Sequence, residues 1–292
     1  MAVRDRRSCS HFGFGIKPRQ HLSAFQEIRQ LYLPVQPAVS SIGTAVTYQE
    51  FLPHESLRDY IYCYWQLRTK EKLSEQFTYR VVADGCVDIF FELDNPLENF
   101  VMGFCRKYTE FPLANEFNYI GIRFLPTMFP RMFGVNASEL SNRFESLSLV
   151  APETAAFIAG QLDSSCGMTD VTGKLDTHLL GILMRTTQEH DNRLYEAISI
   201  ILRQSGVPDA VNGFDTGISP RQLQRLFNYY IGDTPKTFSR VVRFQHILRA
   251  KPSTQSLRKN KLFFDHGYYD QAHFIKEFKN FYGVTPSTAF GR

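Results

Sequence analysis

The sequence predicts an α+β chain. A β-rich N-terminal domain, like a small barrel or sandwich with flanking helices, precedes an all-α domain with two helix-turn-helix motifs. Three observations predict this: runs of aromatic and β-branched residues fill positions 45–150, helical periodicity prevails from residue 151 onward, and a C-terminal segment repeats at an offset of 51 residues. At 292 residues the chain is long enough for two domains with separate cores.

Residues 1–44 carry little regular pattern, and we expect an extension or linker there. Within it, Leu22, Phe25, Ile28 and Tyr32 share one face of a short helix, and two prolines follow.

The β-rich domain is expected over residues 45–150. The predicted strands span residues 60–67, 79–83, 87–93 and 119–124. The dipeptide Asp84-Gly85 between the second and third of these runs predicts a hairpin. Residues 128–134 fit a single helical turn.

Acidic residues alternate along this stretch: Asp84, Asp88 and Glu92. Paired carboxylates can act as acid and base, but the exposed face of a sheet is the simpler interpretation. No P-loop, dinucleotide fingerprint or metal-ligand spacing occurs, so we expect no catalytic site, metal or cofactor. The five cysteines are scattered without a C-x-x-C pair, which indicates reduced cytosolic thiols.

Two amphipathic helices are predicted between the domains, within residues 151–190. They span 154–162 and 171–184, and the second carries an apolar stripe. The stripe consists of Leu175, Leu179, Ile182 and Leu183. Such helices either pack on their own sheet or connect the domains and mediate dimerisation.

An internal repeat organises the last domain, residues 191–292. Each residue of the first copy stands 51 positions before its equivalent: Ser219, Leu223, Arg225, Phe227, Gly232, Thr234 and Pro235 match Asp270, Phe274, Lys276, Phe278, Gly283, Thr285 and Pro286. Ser219 and Asp270 are N-cap residues, and each follows a glycine turn. Two such copies indicate duplicated helix-turn-helix units.

The polar face of the first capped helix suits the reading of DNA. Arg221, Gln224 and Arg225 share the side opposite Leu223 and Phe227. In the major groove, arginine can pair with guanine O6 and N7, and glutamine with adenine N6 and N7.

The C-terminal stretch resembles the AraC/XylS-type DNA-binding domain. The matching pieces are G-I-S-P-R-Q-L-Q-R-L-F, G-D-T-P-K-T-F, V-R-F-Q-H-I-L, G-Y-Y-D-Q-A-H-F-I-K-E-F-K and Y-G-V-T-P. The resemblance implies seven helices and double-stranded DNA as partner. It places Gln271, Ala272, Ile275 and Lys276 at base-contacting positions of the second unit, where Ala272 and Ile275 offer apolar contact alone.

The resemblance extends to the N-terminal domain, through R-V-V-A-D-G-C-V-D-I-F-F, G-I-R-F-L-P and A-S-E-L. In an AraC-type subgroup such a domain senses a signal or regulates. The further partners implied are RNA polymerase, a small-molecule effector and a second copy of the chain.

Unit two departs from the family pattern at its first helix. Gly213 provides the small residue at the helix crossing of unit one, whereas Phe263 takes that place in unit two and Lys259 replaces an apolar residue. We expect the second crossing to be repacked. Lys236 and Lys279 are the predicted phosphate contacts.

Charge separates the two halves of the chain. From residue 191 onward there are 15 Lys and Arg against 8 Asp and Glu, while the remainder has 18 against 21. The basic surplus lies with the repeat, as binding to phosphates requires. Two alternatives to a cytoplasmic transcription factor stay open: a DNA-repair or modifying enzyme that docks through this domain, and a thiol redox sensor using Cys63, Cys86 or Cys105.

Overall fold

The computed structural model describes residues 23–37, 45–186, 191–207, 216–250 and 267–290. Part of the expected extension is an ordered helix, α1 (Ala24–Leu31), and Ser23 Oγ accepts from Gln26 N at its start. Ile28 on this helix is fully buried, and α1 packs against the helix Asn192–Arg203 of the C-terminal domain. Residues 1–22 and 38–44 lie outside the described residues.

Two antiparallel sheets form the N-terminal domain. The first has the order β1-β2-β7-β4-β5-β8, and the second pairs β3 with β6. The strands are β1 Val46–Phe51, β2 Ile61–Thr69, β3 Phe77–Val81, β4 Val87–Glu92, β5 Asn99–Met102, β6 Thr109–Leu113, β7 Asn118–Phe124 and β8 Phe144–Ser146. The four predicted strands are confirmed, with ends that differ by no more than two residues. The predicted β-rich, sandwich-like domain is therefore confirmed.

The predicted hairpin at Asp84-Gly85 is wrong. β3 pairs with β6, whereas β4 pairs with β5 and β7, so the chain crosses from one sheet to the other at this point. Asp84 fixes the crossing: Oδ1 accepts from Cys86 N at 3.0 Å and Oδ2 from Gln36 Nε2 at 2.7 Å. Gly85 follows with a φ of +78°, which glycine adopts without strain.

Placing Asp84 and Asp88 on an exposed face is also wrong. Their side chains are 11% and 14% exposed, and both pair with Arg123, whose side chain is 3% exposed. The strand register explains this, because Asp88 on β4 lies directly opposite Arg123 on β7. Glu92 stays partly exposed and accepts from Asn118 N at 2.8 Å.

Helices cover one face of the large sheet. They are α2 Met128–Phe133, α3 Leu147–Val150, α4 Pro152–Gln161 and α5 Met168–Arg185. Leu175 and Leu179 of the predicted stripe are fully buried, and they lie in one core with Ile89, Phe91 and Ile122 of the sheet. The stripe therefore serves packing within the chain.

The C-terminal domain is helical, as predicted. Its described helices are α6 Asn192–Arg203, α7 Pro220–Tyr230, α8 Pro235–Ala250, α9 Gln271–Tyr282 and α10 Pro286–Phe290. They bury a core rich in phenylalanine, formed by Leu223, Phe227, Phe238, Phe244, Phe274, Phe278 and Phe281. Val82, Phe104 and Leu125 of the N-terminal domain belong to the same core. None of the helices in the described ranges is both long and apolar enough to cross a membrane.

Candidate DNA-binding surface

The first repeat unit presents the predicted face on α7. Ser219 Oγ accepts from Gln222 N at 3.2 Å and caps the helix, and Pro220 occupies the first turn. Leu223 and Phe227 are buried at 4% and 0% exposure. The predicted base-contacting side chains lie on the other side, and all are exposed: Arg221, Gln224 and Arg225.

The second unit repeats this construction on α9. Asp270 Oδ1 accepts from His273 N at 2.7 Å, and Phe274 and Phe278 are buried. The predicted contact residues Gln271, Ala272, Ile275 and Lys276 are exposed, and Ile275 is among the exposed large apolar residues of the structure. His273 lies edge-on to the Tyr268 ring, with 5.4 Å between the ring centroids.

The first helix of each unit falls largely outside the described residues. Residues 208–215 and 251–266 are not described, so the predictions for Gly213, Lys259 and Phe263 lie there. Whether the second crossing is repacked stays a prediction.

The cations of this surface carry no internal partner within the described ranges. Arg221, Arg225, Lys236, Lys276 and Lys279 are exposed, and none forms an ion pair with another described residue. By contrast, Arg240 and Arg243 on α8 both form ion pairs with Glu277. An uncompensated positive charge on an exposed helix face is free to meet phosphate or a base edge.

Helix α8 joins the two units. Thr234 caps it by accepting from Thr237 N at 3.2 Å, and Phe238 in its first turn packs on Phe227 of α7, with 5.9 Å between the ring centroids. Further along, Arg243 Nη2 donates to Glu277 Oε1 at 2.8 Å and Arg240 Nε donates to Glu277 Oε2. Burial would raise the pKa of Glu277, but the charges and hydrogen bonds of Arg243 and Arg240 outweigh it and hold that pKa below its usual value. Helix α9 is thus joined to α8 by a largely buried network of two ion pairs.

The repeat glycines mark where each unit meets the N-terminal domain. Gly232 and Gly283 both have a φ of +97°. A Cβ at Gly232 would lie 2.9 Å from Ala137 O, and one at Gly283 would lie 3.1 Å from Arg80 Nε and from Tyr108 Cδ2. Both units therefore end in a close approach to the β-rich domain that a side chain would obstruct.

Sequence reasoning missed the contacts beside these glycines. Arg106 pairs with Asp233, whose side chain is 1% exposed. Asn280 Nδ2 donates to Arg106 O at 2.7 Å, and Asn280 O accepts from Tyr108 N at 3.1 Å. The buried carboxylate of Asp233, just before the Thr234 cap, requires a compensating cation. Nothing in the sequence identifies Arg106 as that cation.

A cleft lies between the domains at this point, with a volume of about 1160 Å³. Arg106 and Lys107 line it from the N-terminal domain, and Lys276 and Lys279 line it from α9. Two of the five predicted contacts of α9, Lys276 and Lys279, therefore line a cleft together with basic residues of the β-rich domain.

The two alternative functions depend on a reactive thiol or a metal site. Cys63, Cys86 and Cys105 are buried and free, and burial raises the pKa of each thiol, to about 11 for Cys105. Buried thiols of raised pKa are poor nucleophiles and poor redox sensors. Within the described ranges no group of three or more His, Cys, Asp and Glu side chains is arranged to hold a metal.

Two family models match parts of the chain. Residues 49–146 match a family model described as a domain of unknown function, and residues 215–292 match one described as a helix-turn-helix domain. No curated protein sequence matches the chain.

Three solved structures share a distant likeness. ToxT from Vibrio cholerae O395 is 10% identical over 85% of this chain and 98% of its own, with a TM-score of 0.40. An apo point variant of ToxT from Vibrio cholerae strain SCE256 gives the same identity and coverage with a TM-score of 0.42. ToxT of strain O395 bound to (E)-4-(8-methylnaphthalen-1-yl)but-3-enoic acid is 9% identical over 85% of this chain and 99% of its own, with a TM-score of 0.41.

The family match covers both capped helices and their exposed cations. Residues 215–292 match a helix-turn-helix domain, a module by which proteins bind DNA.

Proposed function

We propose that the protein is a sequence-specific transcription factor that inserts α7 and α9 into successive major grooves of one DNA duplex. Grooves on one side of B-DNA recur about every 10 bp, so the operator would hold two half-sites at that spacing. The observation that carries the proposal is the pair of capped helices, 51 residues apart, whose exposed faces bear unpaired cations and amides.

The first unit would read bases more directly than the second. Arg221, Gln224 and Arg225 can each form hydrogen bonds with base edges, whereas Ala272 and Ile275 of the second unit offer only apolar contact. Lys236 and Lys279 would hold phosphates. Base preferences that are sharper over the half-site of the second unit would contradict this assignment.

The N-terminal domain would modulate DNA binding, because it contacts both units directly. Gly232 lies against the turn at Ala137, and Gly283 lies against Arg80 and Tyr108. A change in that domain would therefore alter how the recognition helices are held. An effector molecule, RNA polymerase and a second copy of the chain are the partners through which such a regulator would act in the cytoplasm.

The test is a substitution of one reading side chain. Arg225→Ala should cost about 1–3 kcal/mol at one base pair of a selected operator and relax selectivity there. Fluorescence anisotropy against the operator and its single-base variants measures both effects. Arg68→Ala, an exposed arginine on the N-terminal domain, is the matched control and should change neither. Unaltered base preference in Arg225→Ala would remove Arg225 from the reading face.

A further inference from the structure

The loop that joins β5 to β6 reaches across to α9. Asn280 of α9 binds this loop on both sides of Lys107, because Asn280 Nδ2 donates to Arg106 O at 2.7 Å and Asn280 O accepts from Tyr108 N at 3.1 Å. The backbone of Lys107 is therefore held beside the turn of α9 that contains Lys279, the residue directly before Asn280. A lysine of the β-rich domain thus lies next to a predicted phosphate contact of the helix-turn-helix domain.

The cleft at this junction carries a surplus of positive charge. Its lining includes five cations and two carboxylates. The cations are Arg106, Lys107, Arg240, Lys276 and Lys279, and the carboxylates are Asp233 and Glu277. Each carboxylate already pairs with at least one arginine. The three lysines are exposed and form no ion pair with any other residue that the structure describes, so their charges are left for a partner.

The cleft begins at the edge of the predicted reading face of α9. Lys276 and Lys279 belong both to that face and to the cleft, whereas Gln271 and Ile275 belong to the face alone. A helix in the major groove lies between two phosphate backbones, so cations beside it meet phosphates rather than base edges. The volume of about 1160 Å³ exceeds the roughly 300–1,000 Å³ of small-molecule pockets. Exposed lysines around a wide cleft therefore suit a polymer backbone better than a small anion.

We propose that Lys107 binds a phosphate of the operator beside the half-site that α9 enters, so that the N-terminal domain forms part of the DNA-binding surface. This role rests on the proposed DNA-binding function. The contact adds affinity and salt dependence but reads no sequence. Arg106 is not part of it, because Arg106 compensates the buried carboxylate of Asp233. Since the DNA contacts both domains, it also stabilises their docked arrangement.

Lys107→Gln tests the contact, because it removes the charge and keeps a polar side chain at an exposed position. Each phosphate that a protein neutralises contributes about −0.9 to the slope of log K against log salt concentration. We expect the slope of Lys107→Gln to be less steep by about 0.9, so its affinity deficit should shrink about 3.5-fold between about 50 and about 200 mM salt. Fluorescence anisotropy with the full chain and a selected operator measures the slope. Base preference should stay unchanged, and Lys107→Arg should keep the wild-type slope.

Lys72→Gln is the matched control within the same domain. Lys72 is exposed and lies near the other end of β6, where Leu73 N donates to Asn115 O at 2.8 Å. Strand β6 has five residues and a length of roughly 17 Å at about 3.3 Å per residue. Exposed charges at such a separation are screened, because the Debye length is about 10 Å at 0.1 M salt. Equal flattening of the slope in Lys72→Gln and Lys107→Gln would reduce the effect to net charge and overturn the contact.

Neutral methylphosphonate linkages, placed at one operator phosphate at a time, locate the contact. At one position beside the α9 half-site, the neutral linkage should weaken the wild type several-fold and weaken Lys107→Gln no further. Equal weakening of both proteins at every position would overturn the contact. So would a difference between the two proteins that lies over the α7 half-site.

Lys236→Ala separates the role of Lys107 from the proposed function. A flatter slope in Lys236→Ala with an unchanged slope in Lys107→Gln would overturn the role of Lys107 and leave the proposed function standing. A wild type that binds the selected operator no better than unrelated DNA would count against the proposed function. The slope of Lys107→Gln on unrelated DNA would still test the phosphate contact, because binding without sequence preference also depends on phosphates.

Discussion

Glu277 joins α9 to α8 through two ion pairs. Its side chain is 1% exposed and faces Arg243, which is 10% exposed, and Arg240, which is 38% exposed. Arg243 also lies 4.0 Å above the Tyr268 ring and donates to Gly267 O at 3.2 Å. The Glu277 carboxylate therefore compensates the charge of Arg243, whose side chain is largely shielded from water.

Glu277→Gln removes that compensation while keeping the shape of the side chain. Loss of one partner from a buried ion pair costs about 3–5 kcal/mol, and we expect about 3 kcal/mol because the amide retains one acceptor. Arg240→Ala is the matched contrast. It removes the more exposed cation and leaves Glu277 paired with Arg243, so the expected loss is about 1 kcal/mol. Urea unfolding of both variants measures the two free energies.

The pH dependence gives an independent check. The pKa of Glu277 is held below its usual value of 4.5, so the native state binds this proton less readily than the unfolded chain. Its contribution to stability is therefore fully present above about pH 5 and is lost as the pH falls through and below 4.5. The difference in unfolding free energy between wild type and Glu277→Gln should shrink over that range. Equal destabilisation in the two variants, or a loss in Glu277→Gln below about 1 kcal/mol, would refute the anchoring argument.

Three further substitutions test other contacts. Gly283→Ala should lower the thermal stability more than Gly217→Ala. Both glycines have a positive φ, but of the two only Gly283 has atoms of the described structure close to the position of the added Cβ. Equal losses would leave backbone strain as the sole effect. Gly121→Ala would place a Cβ 1.9 Å from the indole of Trp65 on the neighbouring strand. We therefore expect the free energy of unfolding, measured in urea, to fall by about 1–3 kcal/mol. An unchanged free energy would contradict the packing described. Lys236→Ala should weaken DNA binding equally for all operator variants and make the affinity less dependent on salt. Lys72→Ala, at an exposed lysine of the N-terminal domain, is the control and should change neither.

The sequence predicted best where a pattern is local. β4 alternates between buried and half-buried residues along its length. The N-cap residues Ser219 and Asp270 predict where α7 and α9 begin. Four strands were missed: β1, β5, β6 and β8. β5 and β8 have only four and three residues, which is too short to show a period. Local patterns thus predicted α7, α9 and three of the six strands of the large sheet.

What could not be predicted depends on residues far apart in the chain. Asp88 looked like part of an exposed face, and only the register of β4 against β7 brings it to Arg123. The same holds for Arg106 and Asp233, which are joined by the docking of one domain on the other. A single sequence carries no signal for such pairings, because the residues are separated by whole strands and helices whose packing decides the contact.

The two units are equivalent in sequence but face different parts of the N-terminal domain. Gly232 lies against Ala137, whereas Gly283 lies against Arg80 and Tyr108 at the β3–β6 pair. A movement of the β3–β6 pair would therefore reach α9 before α7.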